Sequence, residues 1–198
     1  MSVPTVGEPA RPLRLPSAQG GDVRLEEFKG RKAVVLWFSK GMACPFCRQK
    51  LSQIARAADR IHGLDAEVLY VTTTPLDRAQ LYARQFRLPF PYLCDADRAA
   101  RAAWGLEVRA HSLPWYAAQL VKGLTGAKPA SDYGPVKPSF AEMPKLLADD
   151  AMGFFIVDRG GVVRYALAGS YVEPAGAGRG IPGNDEIVRE LQRCAPGA

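Results

Sequence analysis

Long apolar runs are missing from this sequence. The longest is Ala33–Phe38, six residues, against the roughly 20 that cross a bilayer as a helix, so no membrane-spanning helix is expected. Nor does a charged start lead into a long apolar stretch at the N-terminus, as in a secretory signal, and a cytoplasmic protein is the expectation. Blocks of one charge sign are missing too. The 26 Lys and Arg outnumber 20 Asp and Glu and leave a net charge of +6, yet the basic residues scatter and nowhere cluster by five or six. That argues against a polyanion-binding tail and against nucleic acid as a partner. Histidine is scarce, with two, and cysteine is limited to four, Cys44, Cys47, Cys94 and Cys194. A zinc site is usually built from two close ligand pairs, and only Cys44 and Cys47 form one, so no metal and no bound cofactor are expected.

What is present belongs to an ordinary globular protein: 47% hydrophobic and 23% charged residues exclude wholesale disorder. The length fits one domain, residues 1–198. Pro12–Leu25 reads as a hairpin, with Leu13 and Leu15, then Val23 and Leu25, alternating with polar residues around Gly20-Gly21. Ala33–Phe38 is a continuous apolar run, the pattern of a strand covered on both faces. A helix is predicted from about Pro45 to His62, with Leu51, Ile54, Ala55, Ala58 and Ile61 on one face and Gly63 as the stop. Ala66–Thr72 reads as a second buried strand, Leu76–Arg87 as a helix, Pro91–Cys94 as a short strand and Ala96–Trp104 as a helix. Gly153–Asp158 and Val162–Leu167 flank the turn Asp158–Gly161 and should pair antiparallel. Asp185–Cys194 reads as a closing helix with acidic residues in its first turn.

Strands alternating with helices, then a hairpin and a helix, imply an α/β fold with a mixed sheet flanked by helices. Residues 107–150 do not fit that alternation. No clear strand is visible there, only two candidate helices at His111–Leu120 and Phe140–Leu147, and the stretch is long for a connection. It is read as an insertion, a lid or an interface. Trp115, Tyr116, Leu120, Phe140 and Leu146 should pack on the body, near an apolar rim at Phe46, or on a partner chain.

The chemistry concentrates at Cys44-Pro45-Phe46-Cys47. A strand ends at Phe38, a loop follows, and a helix begins beside the first cysteine. A thiol at a helix N-terminus meets unpaired N–H groups and the positive dipole end, both of which favour thiolate. Lys40 and Arg48 are close enough in sequence to add positive charge. Pro45 suits the first helical position, and Cys47 lies one turn on, within disulfide reach. Cys44 is expected to be the more exposed, lower-pKa nucleophile, and Cys47 the buried partner that acts second.

The segment Val34–Leu51 resembles the active-site stretch of the thioredoxin superfamily. Val6-Gly7-Glu8, Phe28-Lys29-Gly30, Leu88–Asp95 and Phe154–Asp158 extend the likeness to its peroxiredoxin-like branch, the alkyl hydroperoxide reductase/thiol-specific antioxidant family. The resemblance covers about residues 6–106 and 152–195. It implies a thioredoxin-like fold with an N-terminal hairpin and thiol-based reduction of a peroxide or disulfide, regenerated by an external thiol such as thioredoxin or glutathione. A homodimer is compatible with it. The sequence departs from the family at three places. Trp37 stands where a proline is usual, Gly41 where a threonine or serine precedes the peroxidatic cysteine, and Met152 where an arginine is usual. A second cysteine in the helix is instead the thioredoxin and glutaredoxin arrangement.

The leading expectation is therefore a peroxiredoxin-like oxidoreductase cycling between a Cys44-Cys47 dithiol and a disulfide. A thioredoxin-like disulfide reductase and a non-turnover redox sensor or binding module are the alternatives. Other candidates are read as structural. Cys194 is taken as a helix-end thiol, Cys94 as a small buried residue, His62 as a helix C-terminal group, and Gly176–Gly180 as a flexible loop. His111 would act as acid or base only if the insertion folds over Cys44.

Overall fold

The computed structural model describes residues 1–125, 130–170 and 180–194, without the side chains of residues 119, 120, 122–125 and 170. A small antiparallel hairpin, β1 (Arg14–Pro16) and β2 (Asp22–Arg24), pairs Leu15 with Val23. The main sheet is built on β3 (Ala33–Ser39). On one side β3 runs parallel to β4 (Ala66–Thr72), which runs parallel to β5 (Tyr92–Cys94); on the other it pairs antiparallel with β7 (Asp149–Val157). β7 in turn pairs antiparallel with β6 (Val108–Arg109) and with β8 (Val163–Ser170). The expected mixed α/β sheet, including its closing hairpin, is what the chain forms.

Side chains alternate across a strand, and β3 uses both faces. Val35 and Trp37 enter a core with Leu51, Ile54, Ile61, Phe154, Ile187 and Leu191, whereas Val34, Leu36 and Phe38 enter a second core with Leu13, Leu25, Trp104 and Phe155. That two-sided burial is why β3 reads as an unbroken apolar run. Helices α1 (Pro45–Arg56), α2 (Ala58–His62) and α7 (Asn184–Arg193) bury their apolar stripes against the first core. α3 (Leu76–Phe86) adds Ala79 and Tyr82 to it, and α4 (Ala99–Ala103) precedes Trp104, at the heart of the second core.

Four local expectations change. The helix over 45–62 is two helices, broken at Ala57, whose N–H bonds the carbonyl of Ile54 in a tighter turn; Ala57 and Ala58 are both buried, so the apolar face stays on the sheet. α4 starts later than Ala96, because Arg98 is left-handed and the Asp95 carboxylate accepts the N–H groups of Ala100 and Arg101. The stretch 107–150 does contain a strand: β6 pairs Val108 with Asp150 and Arg109 with Asp149 at an extended start of β7. Its acidic residues concealed it. Asp149 and Asp150 are buried with partners, Asp150 paired with Arg98 at 3.0 Å and Asp149 hydrogen-bonded to His111 at 2.8 Å. The insertion's helices are α5 (Leu113–Thr125) and α6 (Met143–Leu147). Trp115, Tyr116 and Leu146 are partly buried, but Phe140 is 95% exposed. The inward position of that turn belongs to Glu142, which accepts hydrogen bonds from the Tyr82 hydroxyl (2.9 Å) and the Ser139 N–H (2.8 Å). The side chain of Leu120 lies outside the described residues, as does most of the Gly176–Gly180 loop. Among the described residues no helix is long and apolar enough to cross a membrane.

Candidate active site

β3 delivers Ser39 to the C-terminal edge of the sheet, and Lys40–Ala43 turn the chain into α1. The turn needs a glycine. Gly41 has φ +96°, and a Cβ there would sit 2.4 Å from Thr74 Oγ1 and 3.0 Å from the Tyr92 hydroxyl. Those two hydroxyls hydrogen-bond each other at 2.8 Å, and the Met42 N–H donates to the Tyr92 oxygen at 3.3 Å. The loop is thus held from β5 and from the segment after β4.

Cys44 is the N-cap of α1 and Pro45 its first residue. An N-cap side chain accepts an otherwise unpaired N–H of the first turn; here Cys44 Sγ accepts from the Cys47 N–H at 3.4 Å. Both sulfurs are enclosed, Cys44 at 8% exposure and Cys47 at 0%, with Phe46 between them 64% exposed. Cys44 is the more accessible, as expected, though only slightly.

The expected order of acidity is reversed. The Cys44 thiol donates to the Cys47 sulfur, and this, with burial and the neighbouring negative charge, raises the Cys44 pKa well above the ordinary thiol value. Burial also disfavours the Cys47 thiolate, but donors from the Cys44 thiol, the Ser39 hydroxyl and the Lys40 N–H, together with the Lys40 charge, bring Cys47 down to about 6. Ser39 is oriented for that task. Its oxygen lies 2.8 Å from the Tyr70 hydroxyl and accepts the Gly41 N–H at 3.2 Å, leaving its proton for sulfur. The surroundings therefore favour the charged form at Cys47 and disfavour it at Cys44. The helix N-terminus pointed to Cys44 as the lower-pKa thiol, whereas the donors gathered around Cys47 favour ionisation there.

Two cations flank the pair. Arg48 is one turn beyond Cys44, its N–H on the Cys44 carbonyl (2.9 Å) and its Nη1 on the Met42 carbonyl (2.7 Å). Lys40 is 8% exposed and reaches the carbonyls of Leu146 (3.2 Å) and Ala148 at the end of the insertion. The insertion touches the cysteine helix again where Ser131 Oγ donates to the Arg48 carbonyl (3.1 Å) and Asp132 pairs with Arg56. Residues 131–148 thus touch the active-site loop and α1.

The remaining candidates stay apart from this chemistry. His111 bonds Asp149 and stacks on Trp115 at 3.8 Å, and His62, the last residue of α2, bonds Glu67 at 3.0 Å. Cys94 ends β5, buried, and burial pushes its thiol up to about 12. Cys194 caps the end of α7. Among the described residues no three His, Cys, Asp or Glu side chains converge as metal ligands. Sequence reasoning named Lys40 and Arg48 but missed Ser39, Tyr70, Thr74 and Tyr92. The run Thr72-Thr73-Thr74 just past a buried parallel strand was the available signal, since strand C-termini face the ligand crevice.

The family model described as "AhpC/TSA family" matches residues 6–166. The chain is similar to a chloroplastic peroxiredoxin Q of Sedum lineare, 28% identical over 102 residues, which are 52% of this chain and 54% of that protein. It thus matches about half the length of that relative. Among solved structures, the peroxidoxin BcpB of Mycobacterium tuberculosis superposes with a TM-score of 0.63 at 18% identity, covering 96% of this chain and 97% of that one. A peroxiredoxin Q structure from Xanthomonas campestris gives a TM-score of 0.60 at 15% identity over 91% and 90%.

Proposed function

The chain belongs to the AhpC/TSA family, and from that premise we propose that it reduces hydroperoxides through a Cys44–Cys47 dithiol–disulfide cycle. The observation that carries this reading is the sulfur pair itself: two enclosed cysteines within one helical turn, the Cys47 N–H on the Cys44 sulfur and the outer cysteine nearer to solvent. Cys44 is the sulfur that meets the peroxide. As it attacks the terminal oxygen its proton passes to the Cys47 thiolate, which acts as the base. The S–O bond forms, the O–O bond breaks, and the alkoxide or hydroxide released takes a proton from water. Cys47 then displaces water from the Cys44 sulfenic acid, closing the disulfide. An external dithiol or glutathione returns the pair to its reduced state by exchange.

The arrangement of two cysteines across one helical turn also suits direct attack on a disulfide, so the test runs both reactions side by side. Reduced protein is mixed with hydrogen peroxide in stopped flow and, separately, assayed for insulin reduction. Peroxide consumed to one disulfide per chain, faster than insulin is reduced, is the expected result. Insulin reduction without peroxide consumption would replace the reading with a disulfide reductase, and one oxidation without turnover by any reductant would make the chain a sensor.

The same reading takes 1–198 as one domain carrying 107–150 as an insertion, supported by the pairing of β6 with β7 at the two ends of that stretch. It places the protein in the cytoplasm, where unpaired redox-active cysteines are the usual form. Thioredoxin or glutathione is the proposed reductant. A homodimer is the proposed assembly, supported by the exposed apolar side chains Phe46, Leu113 and Phe140.

A further inference from the structure

Arg48 is more deeply placed than its role as a loop clamp requires. It is 5% exposed, and a guanidinium carries five N–H donors with no acceptor. Its Nη1 is satisfied by the Met42 carbonyl, but its buried Nε has no partner among the described residues. Leaving a charged donor unmatched inside a protein is costly, and such a group in a native structure calls for a ligand or a chemical task. Helical side chains lean toward the N-terminus, and the Met42 bond shows that this one does, so the guanidinium lies beside the turn that carries Cys44. Arg48 feels the charge of both sulfurs. The other nearby cation, Lys40, has its ammonium drawn to two carbonyls of the insertion.

We propose that Arg48 supplies the positive edge that receives the oxygen released when Cys44 is oxidised. This rests on the peroxidase reading above. In that step the Cys44 sulfur bonds the terminal oxygen, the O–O bond breaks, and its electron pair leaves on the second oxygen as hydroxide or alkoxide. The sulfur is oxidised to sulfenic acid and the peroxide reduced to water or alcohol once the released anion is protonated by solvent. A buried cation with a spare N–H donor, held beside the turn that carries the reacting sulfur, can lower such a barrier by meeting the developing negative charge.

The test compares wild type, Arg48→Lys and Arg48→Gln in single-turnover oxidation by peracetic acid, hydrogen peroxide and tert-butyl hydroperoxide. Iodoacetamide alkylation is measured in parallel, because it reports thiolate availability without releasing an oxygen anion. Arg48→Gln should slow hydrogen peroxide about 100-fold, the usual cost of removing one such donor, and alkylation by less than about three-fold. The loss should be largest for tert-butyl hydroperoxide, the poorest leaving group, and smallest for peracetic acid, whose carboxylate needs little help. Arg48→Lys should recover part of it and keeps the charge should the Gln variant fail to fold. Equal losses for peroxides and alkylation, or no dependence on leaving group, would reduce Arg48 to a loop clamp and overturn the proposal alone. A wild type inert to all three peroxides would instead remove the peroxidase reading, and this proposal with it.

Discussion

Replacing Gly41 with alanine tests the construction of the active-site loop. The residue has φ +96°, a conformation that costs a residue with a side chain about 1–3 kcal/mol. The added methyl would also sit 2.4 Å from Thr74 Oγ1, well inside contact distance, against a threonine that is buried and hydrogen-bonded to Tyr92. Forcing atoms into a packed site costs a further ~1–3 kcal/mol. Gly41→Ala should therefore lose about 2–6 kcal/mol, a large part of the ~5–15 kcal/mol that holds a typical protein folded. Urea unfolding followed by the fluorescence of buried Trp37 and Trp104 reads this directly. Adding Thr74→Ala removes the collision but not the backbone strain, so the double variant should recover only the packing share, a coupling that a double-mutant cycle isolates. Gly41→Thr, which restores the residue type usual in the family, should not speed peroxide reduction, because the Thr74 hydroxyl already stands where that side chain would begin. A Gly41→Ala protein within about 0.5 kcal/mol of wild type, the range of an ordinary surface change, would refute this account of the loop.

Other consequences are separately measurable. Cys44→Ser should abolish turnover, while Cys47→Ser should oxidise once and accumulate sulfenic acid, visible by mass spectrometry after one equivalent of peroxide; the reverse pattern would exchange the two roles. Because the shared charge forms as Cys47 ionises at about 6, reactivity of the reduced pair should rise with pH through that value and then level off toward pH 8. Removing the Cys44 donor should move that rise to higher pH, since burial then acts on Cys47 with fewer donors to offset it. Cys94, pushed up to about 12, should resist alkylation at pH 8 in the folded protein and react on unfolding. Lys40→Met should cost about 1–3 kcal/mol by stranding two carbonyls and should speed hydrogen exchange across α6; unchanged exchange there would mean that Lys40 does not tether the insertion.

The difference between what the sequence revealed and what it hid follows the range of the interactions. The β3 run, the stripe Leu51, Ile54 and Ile61, and the turn Asp158–Gly161 are patterns within a few residues, and each became the element it implied. The helix break at Ala57 needed the shape of the sheet beneath it. β6 and the first residues of β7 were disguised because their stability comes from pairing buried carboxylates with Arg98 and His111, 52 and 38 residues away in the chain. The cysteine pair stood out by spacing, yet its acidities depend on Ser39 and the tyrosine behind it, and its charge environment on Lys40, whose carbonyl partners are 106 and 108 residues distant. Gly41 shows the limit most clearly. Read alone, it is the loss of a hydroxyl beside a reactive cysteine. In the fold, Thr74 arrives from the segment after β4 and occupies the place a side chain would have taken, so the glycine and the threonine are two halves of one packing solution. A motif comparison scores each position against its own column and registers only a missing group, whereas the folded chain can restore that group from any segment that reaches the same point.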